Sequence, residues 1–253
     1  MIRGIAFDLF DTLVDQDHEL LLPVEVEGRR VSSTTPQLFR HVTQYAGISL
    51  SLGEFADLQR EVDRELFRET LKEGIECPTL RRFEALVERL GHGRDLTLAA
   101  GLTTVHMSAL REAVTIPAHH EAILAALAAE HRLALCSNFS HAETAHAILD
   151  EASFTQHLAS VVISEEIGIR KPRREIFDAV VRCLDLAPEE ILHVGDSLRA
   201  DVAGAAACGM RTVWLTRQIA DPDADLEAYE GPRPEFALED LIDLPVLAAR
   251  LSA

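Results

Sequence analysis

The sequence is short of positive charge and of long apolar runs. Its 253 residues carry 24 Lys and Arg against 42 Asp and Glu, for a formal net charge of −18. A surface this acidic repels phosphate backbones and anionic lipid headgroups, which argues against nucleic-acid and membrane partners. The longest apolar stretches, such as residues 122–129, fall far short of the roughly 20 residues that span a bilayer. With 47% hydrophobic and 26% charged residues, the composition is otherwise typical of a globular protein.

Paired cysteines and several common catalytic motifs are also missing. No two cysteines form a CxxC pair, and we expect most of them to be small buried hydrophobic residues in a reducing compartment. The four are Cys77, Cys136, Cys183 and Cys208. Residues 1–15 turn acidic where a secretory signal stays apolar, so a cytoplasmic protein is expected. There is no Walker phosphate loop, GxGxxG turn, GxSxG nucleophile elbow or HExxH metal motif.

Short apolar runs alternate with helical patterns along most of the chain. Buried strands are predicted at residues 2–7, 132–136, 159–163, 191–195 and 211–215. Helices are predicted at residues 120–130, 142–151, 174–184 and 201–208, the last ending at Gly209. This alternation predicts an α/β fold with a doubly wound parallel sheet. In such sheets ligands bind beyond the carboxyl ends of the strands.

Residues 15–114 interrupt the alternation. They contain no convincing buried strand, and four amphipathic helices are predicted instead, at residues 37–46, 54–72, 80–90 and 96–111. A short hairpin is expected within residues 24–31. We therefore predict a core formed by residues 1–14 and 115–253, and an inserted helical domain, residues 15–114, that acts as a lid. Residues 220–234 are expected to be a loop before a final helix.

Polar residues follow four of the predicted core strands or their connections. Asp8 ends the first strand, Ser137 and Asn138 end the second, and Lys171 is one of only two lysines, with Lys72. The fourth group is Asp196 and Asp201. Taken alone, each residue has an ordinary interpretation as a turn residue, a helix cap or a solvated surface charge. Four histidines (His119, His120, His141 and His146) lack metal-motif spacing and are expected at the surface, whereas Trp214 is expected in the core.

In this order, the four groups resemble the motifs of the haloacid dehalogenase superfamily of hydrolases. The matching segments are DLFDTL at 8–13, LCSN at 135–138, KP at 171–172 and VGDS at 194–197 with Asp201. The resemblance covers nearly the whole chain, including the inserted helical cap. It implies that Asp8 is the nucleophile of a covalent aspartyl intermediate and that Lys171 assists catalysis. It also implies substrate contacts from Thr12, Ser137 and Asn138, and a Mg²⁺ site formed by Asp8, Asp196, Asp201 and the main-chain carbonyl of Phe10.

Phe10 departs from the pattern of the superfamily's phosphatases. Those enzymes usually carry a second aspartate two residues after the nucleophile, which protonates the leaving alcohol and later activates water. A positioned general acid contributes about 10²–10⁴-fold in rate, and phenylalanine supplies none of this. Asp11, the next residue, is predicted to be a turn residue, because successive side chains of an extended segment point in opposite directions.

Three functions therefore stay open at this point. The first is a Mg²⁺-dependent phosphatase acting on a small molecule with a good leaving group. The second is a 2-haloacid dehalogenase, whose branch carries an aromatic residue at the Phe10 position; Arg40 would then bind the halide and carboxylate. The third is a weakly catalytic or non-catalytic descendant that binds a phosphorylated ligand. Phosphonate cleavage is disfavoured, since it needs a lysine early in the cap and Lys72 comes late.

Overall fold

A computed structural model describes residues 1–26 and 29–252 of the chain. Its strands, in chain order, are β1 (Gly4–Phe7), β2 (Asp15–Gln16), β3 (Pro23–Val26), β4 (Arg29–Ser32), β5 (Val114–Thr115), β6 (Arg132–Ser137), β7 (Ser160–Ile163), β8 (Ile191–Gly195), β9 (Arg211–Leu215) and β10 (Phe236–Leu238). Its α-helices are α1 (Thr35–Ala46), α2 (Leu52–Glu69), α3 (Thr79–Val87), α4 (Leu96–Glu112), α5 (His120–Ala128), α6 (Ala142–Glu151), α7 (Ser164–Ile167), α8 (Arg174–Leu184), α9 (Gly204–Ala207), α10 (Pro222–Ala228) and α11 (Leu244–Ser252).

Six strands form one parallel sheet in the order β10-β9-β8-β1-β6-β7. The central strand β1 is buried along its whole length, as the unbroken apolar run predicts for a strand covered on both faces. On one face, α8 packs Ile176, Phe177 and Val180 against sheet residues that include Ala6 and Ala134. The predicted doubly wound parallel sheet is confirmed. Because all pairs are parallel, the carboxyl ends of the strands share one edge.

The chain divides into two compact units. Residues Met1–Asp15 and Ile116–Ala253 form the first, which contains the large sheet, and Gln16–Thr115 forms the second. The second unit contains α1 to α4, which bury an apolar cluster of their own that includes Leu38, Phe55 and Phe83. The four helices predicted there are confirmed. That this unit acts as a lid stays a prediction.

The predicted hairpin is confirmed for its strands. β3 pairs antiparallel with β4 from Pro23 opposite Ser32 to Val26 opposite Arg29. Residues 27–28, which include the predicted Gly28 position, lie outside the described residues. Among the residues that the structure describes, no helix is both long and apolar enough to cross a bilayer.

Two expectations were wrong in detail, and one strand was not predicted. The expected loop at 220–234 contains α10, which begins at Pro222. Its first turn is capped by the Asp221 side chain, which accepts from the Ala224 N–H at 3.1 Å. Strand β10 was not expected, because its three residues are too few to show a pattern. His120 is fully buried rather than on the surface. Trp214 is buried as expected, as are Cys77, Cys136 and Cys208.

Candidate active site

Three neighbouring strands bring the predicted chemical residues to one edge of the sheet. Phe7, the last residue of β1, lies opposite Leu135 of β6 and Val194 of β8. The Asp8 N–H donates to the Val194 carbonyl at 2.9 Å, which fixes the residue just beyond the end of β1. The same register places Ser137 at the end of β6 and Asp196 just after β8. The common edge therefore follows directly from the parallel pairing.

Lys171 joins two of the predicted carboxylates. Its Nζ lies 2.7 Å from Oδ1 of Asp8 and 2.7 Å from Oδ1 of Asp201, and its side chain is 1% exposed. Burial alone would lower the pKa of Lys171, but the charges of Asp201 and Asp8 outweigh it and hold that pKa above its usual range. Lys171 is therefore a permanent cation between two acidic groups.

The three aspartates have different environments. Burial alone would raise the pKa of Asp201, but Lys171 and His193 hold it well below its usual range. Burial raises the pKa of Asp8, with Lys171 opposing the rise and Asp201 adding to it. Burial, Asp8 and Asp201 together raise the pKa of Asp196 to about 7. The cluster is thus short of positive charge, even with Lys171 present.

This cluster suits a hard divalent cation. Asp8, Asp196 and Asp201 each offer a carboxylate oxygen, and these atoms all lie within 4.8 Å of one another. Oxygen ligands with excess negative charge are what Mg²⁺ selects in proteins. The residues present therefore fit the metal that the sequence predicts.

His193 and Trp214 contribute to the site, although sequence reasoning assigned neither to it. His193 lies on β8, and its Nε2 donates to Oδ1 of Asp201 at 2.9 Å. Trp214 donates its indole N–H to the main-chain carbonyl of Asp196 at 2.7 Å. In sequence both residues belong to buried strands, and a polar atom on a strand shows its partner only after the sheet is assembled. The sequence signal for His193 was a polar residue within the otherwise apolar run of β8.

Asn138 positions Lys171 in this structure. Its Nδ2 donates to the Lys171 carbonyl at 3.0 Å, and its Oδ1 accepts from the Lys171 N–H at 2.7 Å. Ser164 holds the next residue, Phe139, by accepting from its N–H at 2.9 Å and donating to its carbonyl at 3.2 Å. The predicted substrate contact of Asn138 stays a prediction. The structure shows that its side-chain amide also holds the main chain of Lys171.

Two predicted substrate-binding hydroxyls are buried without a partner. Neither Oγ1 of Thr12 nor Oγ of Ser137 has a hydrogen bond within the described parts of the chain. An unsatisfied buried hydroxyl costs about 1–3 kcal/mol. Hydroxyls kept in this state beside the carboxylate cluster are suited to donate to a bound anion. Their role as substrate contacts stays a prediction.

Phe10 packs its ring against a second aromatic side chain. The centroid of its ring lies 4.8 Å from the centroid of the Phe139 ring, and the two ring planes form an angle of 50°. Asp11 has φ 55°, a left-handed conformation that Asp tolerates, and so is the turn residue that was predicted. Arg40, the predicted halide-binding residue, is exposed on α1 of the second unit. Its role stays a prediction.

A cavity of about 550 Å³ opens beside Asp196. Trp214 forms one wall, and Tyr229, just after α10, forms another while its hydroxyl donates to the Leu198 carbonyl at 2.9 Å. The helix that was expected to be a loop therefore helps to shape the space next to the carboxylate cluster.

Comparison with known proteins identifies the family and the fold of the chain. The family model for haloacid dehalogenase-like hydrolases matches residues 2–209. A glyceraldehyde 3-phosphate phosphatase of Methanopyrus kandleri is 29% identical and covers 96% of this chain and 99% of its own. The N-acylneuraminate-9-phosphatase of Homo sapiens is 26% identical, covering 97% and 93%. A crystal structure of a 2-haloacid dehalogenase from Pseudomonas syringae pv. Tomato DC3000 shares the fold, with a TM-score of 0.71, 23% identity and 99% coverage of both chains.

Proposed function

Because the chain belongs to the haloacid dehalogenase-like hydrolases, we propose that it is a Mg²⁺-dependent phosphatase of a small metabolite that carries a good leaving group. The convergence of Asp8, Asp196 and Asp201, with Lys171 between two of them, carries this proposal. Two relatives that align over nearly their full length are phosphatases by name, which supports the phosphatase activity; the restriction to good leaving groups rests on Phe10 alone. We place the enzyme in the cytoplasm, since its cysteines are free thiols.

The metal ligands follow from the carboxylate cluster. Asp8, Asp196 and Asp201 would hold Mg²⁺ together with the main-chain carbonyl of Phe10. When bound, Mg²⁺ offsets the charge of the carboxylates and draws electron density from the phosphoryl group. The Trp214 N–H fixes the peptide of Asp196, and His193 and Lys171 fix Asp201. Such supporting contacts orient ligands before the metal arrives.

In the first step the Asp8 carboxylate attacks phosphorus. A new oxygen–phosphorus bond forms as the bond to the leaving oxygen breaks, and that oxygen departs with the electron pair. Lys171 and the hydroxyls of Thr12 and Ser137 would donate to the phosphoryl oxygens, whose charge grows in the transition state. In the second step water attacks the phosphorus of the aspartyl phosphate. This breaks the bond between phosphorus and the Asp8 oxygen and restores the Asp8 carboxylate, while both protons of the water stay on the phosphate product, which leaves as dihydrogen phosphate or passes one proton to the solvent.

Phe10 limits which substrates the first step can use. Its ring donates no proton, so the leaving oxygen must depart as a weakly basic anion. Acyl phosphates, phosphoanhydrides and activated esters meet this requirement, whereas simple alkyl phosphates do not. The missing acid corresponds to about 2.7–5.5 kcal/mol of barrier for a poor leaving group.

Hydrolysis of para-nitrophenyl phosphate tests the proposal, because nitrophenolate leaves without protonation. We expect turnover that needs Mg²⁺ and that falls below detection in Asp8→Asn. Asp185→Asn is the control for the same side-chain change, since Asp185 is an exposed aspartate at the end of α8, outside the carboxylate cluster. No Mg²⁺-dependent turnover by the wild type, or equal turnover by Asp8→Asn, would contradict the proposal.

A 2-haloacid dehalogenase is the second candidate, and Phe10 is the observation that favours it. In that reaction Asp8 would displace halide from carbon, and halide needs no proton. Asp196 speaks against it, because displacement of halide by a carboxylate requires no metal ligand. Release of chloride from 2-chloropropionate, lost in Asp8→Asn and in Arg40→Gln, would support this candidate over the phosphatase. An absence of both activities would leave a ligand-binding role.

A further inference from the structure

A second cluster of metal-ligating side chains lies outside the proposed phosphatase site. His119 and His120, at the start of α5, meet Asp240, which precedes the helical turn Leu241–Asp243. Each offers one ligand atom, and these atoms lie within 4.8 Å of one another. The two imidazole rings have centroids 4.6 Å apart and stand nearly perpendicular. Adjacent residues in sequence thus present two nitrogens toward one carboxylate.

His120 has a buried nitrogen with no partner. Its Nδ1 lies 2.8 Å from the Leu13 carbonyl, and a carbonyl only accepts, so Nδ1 carries the hydrogen. The lone pair therefore belongs to Nε2, which is buried and has no hydrogen bond within the described residues. Burial also lowers the pKa of His120, which favours the neutral ring. A histidine held through one nitrogen by a carbonyl, with the other nitrogen vacant, has the usual arrangement of a metal ligand.

The surroundings leave a net negative charge for a cation. Asp240 Oδ1 lies 2.7 Å from Nε2 of His119, while its Oδ2 faces Nε of Arg217 at 3.6 Å. Arg217 is itself paired with Asp15 through both terminal nitrogens. Two carboxylates against one guanidinium leave one uncompensated negative charge beside the two rings. Arg217 thus orients one oxygen of Asp240 and leaves the other toward the histidines.

We propose that His119, His120 and Asp240 bind a transition-metal ion of the Zn²⁺ class. Two imidazole nitrogens and one carboxylate oxygen form a donor set typical of Zn²⁺ and its neighbours in the first transition row. Mg²⁺ prefers oxygen ligands alone. The chain therefore offers an all-oxygen site suited to Mg²⁺ and a separate site with two nitrogens suited to Zn²⁺. Mg²⁺ is not expected to bind at the histidines.

The proposed ion would act on the segment that carries the nucleophile. His120 holds the carbonyl of Leu13, five residues after Asp8, and the Leu13 N–H donates to the Leu9 carbonyl at 2.8 Å. Ion binding at Nε2 polarises the ring and strengthens the hydrogen bond that Nδ1 donates. The site would thus stabilise the folded state and the turn that follows Asp8.

Cobalt binding tests the assignment directly. Co²⁺ is added to chelator-treated protein in the presence of saturating Mg²⁺, which fills the carboxylate cluster. A site with nitrogen ligands and low coordination number gives intense visible absorption, whereas an octahedral oxygen site gives almost none. We expect one equivalent of Co²⁺ to give this absorption in the wild type, and Zn²⁺ to displace it. His119→Gln and Asp240→Asn should weaken binding by about tenfold or more.

His146→Gln is the matched control. His146 is a half-exposed histidine whose Nε2 lies 3.2 Å from Oε1 of Glu166. Among the described residues, this histidine–carboxylate pair has no third ligand. Its loss should leave the absorption unchanged. Thermal unfolding supplies a second measurement, because saturating Zn²⁺ should raise the Tm of the wild type by about 4 °C or more and that of His119→Gln hardly at all. Wild-type protein without the absorption, or His119→Gln and Asp240→Asn with all of it, overturns the assignment. Neither result depends on phosphatase activity.

Discussion

Lys171 is the cation that two buried carboxylates share, and it belongs to a chain with one other lysine. Removing one member of a buried ion pair costs about 3–5 kcal/mol, because the partner's charge is left without compensation. We therefore expect Lys171→Met to lower the free energy of unfolding by about 3–5 kcal/mol in urea titrations without metal. We also expect it to lower kcat at least about 10²-fold, because the transferring group loses a cation.

Lys72→Met is the matched control for that variant. Lys72 is exposed, in the short helical turn Leu71–Glu73. Exposed substitutions of this kind usually change stability by about 0.5 kcal/mol or less. If Lys171→Met is as stable and as active as Lys72→Met, the buried pairing is not what the site depends on.

Phe10 allows a gain of function to be tested at one side chain. In Phe10→Asp a carboxyl group takes the place of the ring, so it can protonate the leaving oxygen while the main-chain carbonyl stays in place. We expect kcat/KM for an alkyl phosphate, relative to para-nitrophenyl phosphate, to rise about 10–100-fold. Phe10→Asn supplies similar size and polarity without an acidic proton. An equal rise in Phe10→Asn, or no rise in Phe10→Asp, would refute the hypothesis that Phe10 restricts the substrates because its ring donates no proton.

At the scale of secondary-structure elements, the end of β8 and the turn after it are packed without spare room. A Cβ on Gly195 would lie 2.3 Å from Cγ of Asp201, so Gly195 lets the turn Leu198–Ala203 approach the strand. Gly195→Ala should therefore displace Asp201 and lower the free energy of unfolding by about 1–3 kcal/mol. It should also reduce kcat by more than the loss of folded protein explains. The comparison needs kcat measured well below the Tm of the variant.

Gly53→Ala separates this steric effect from the general effect of replacing glycine. Gly53 lies in α2, and a Cβ there would meet nothing within 4 Å. We expect that variant to be neutral or up to about 1 kcal/mol more stable, with unchanged activity. Full activity in Gly195→Ala would show that Asp201 can shift without consequence.

The elements also show how far a sequence can predict this site. Asp8, Asp196 and Ser137 were predictable because each follows an apolar run, and parallel pairing alone brings the ends of such runs together. His193 was not, because its partner Asp201 lies eight residues away across a turn whose path depends on Gly195. Helix α10 was missed because its acidic residues and its proline are as common in loops as in a capped first turn.

The two histidines of the second cluster illustrate a different limit. Spacing rules describe ligands on one helix, whereas His119 and His120 lie at the start of α5 and meet Asp240, which is 121 residues after His119. The tautomer of His120 is set by the Leu13 carbonyl, 107 residues before it. No local pattern carries such information, because every contact that defines the cluster comes from tertiary structure.

At the scale of the whole molecule, the net charge of −18 opposes the approach of an anionic substrate. The screening length is about 30 Å at 0.01 M salt and about 8 Å at 0.15 M. At low salt the charge of the entire surface therefore acts on a phosphate dianion. At physiological salt mainly the charged groups around the site act on it.

We expect kcat/KM for para-nitrophenyl phosphate to rise about two- to threefold from 0.01 M to 0.15 M salt at saturating Mg²⁺. Because kcat reports on substrate already bound, it should stay nearly constant. A fall in kcat/KM with rising salt would contradict this expectation. It would mean that attraction of the substrate by Lys171 and the bound metal outweighs repulsion by the acidic surface.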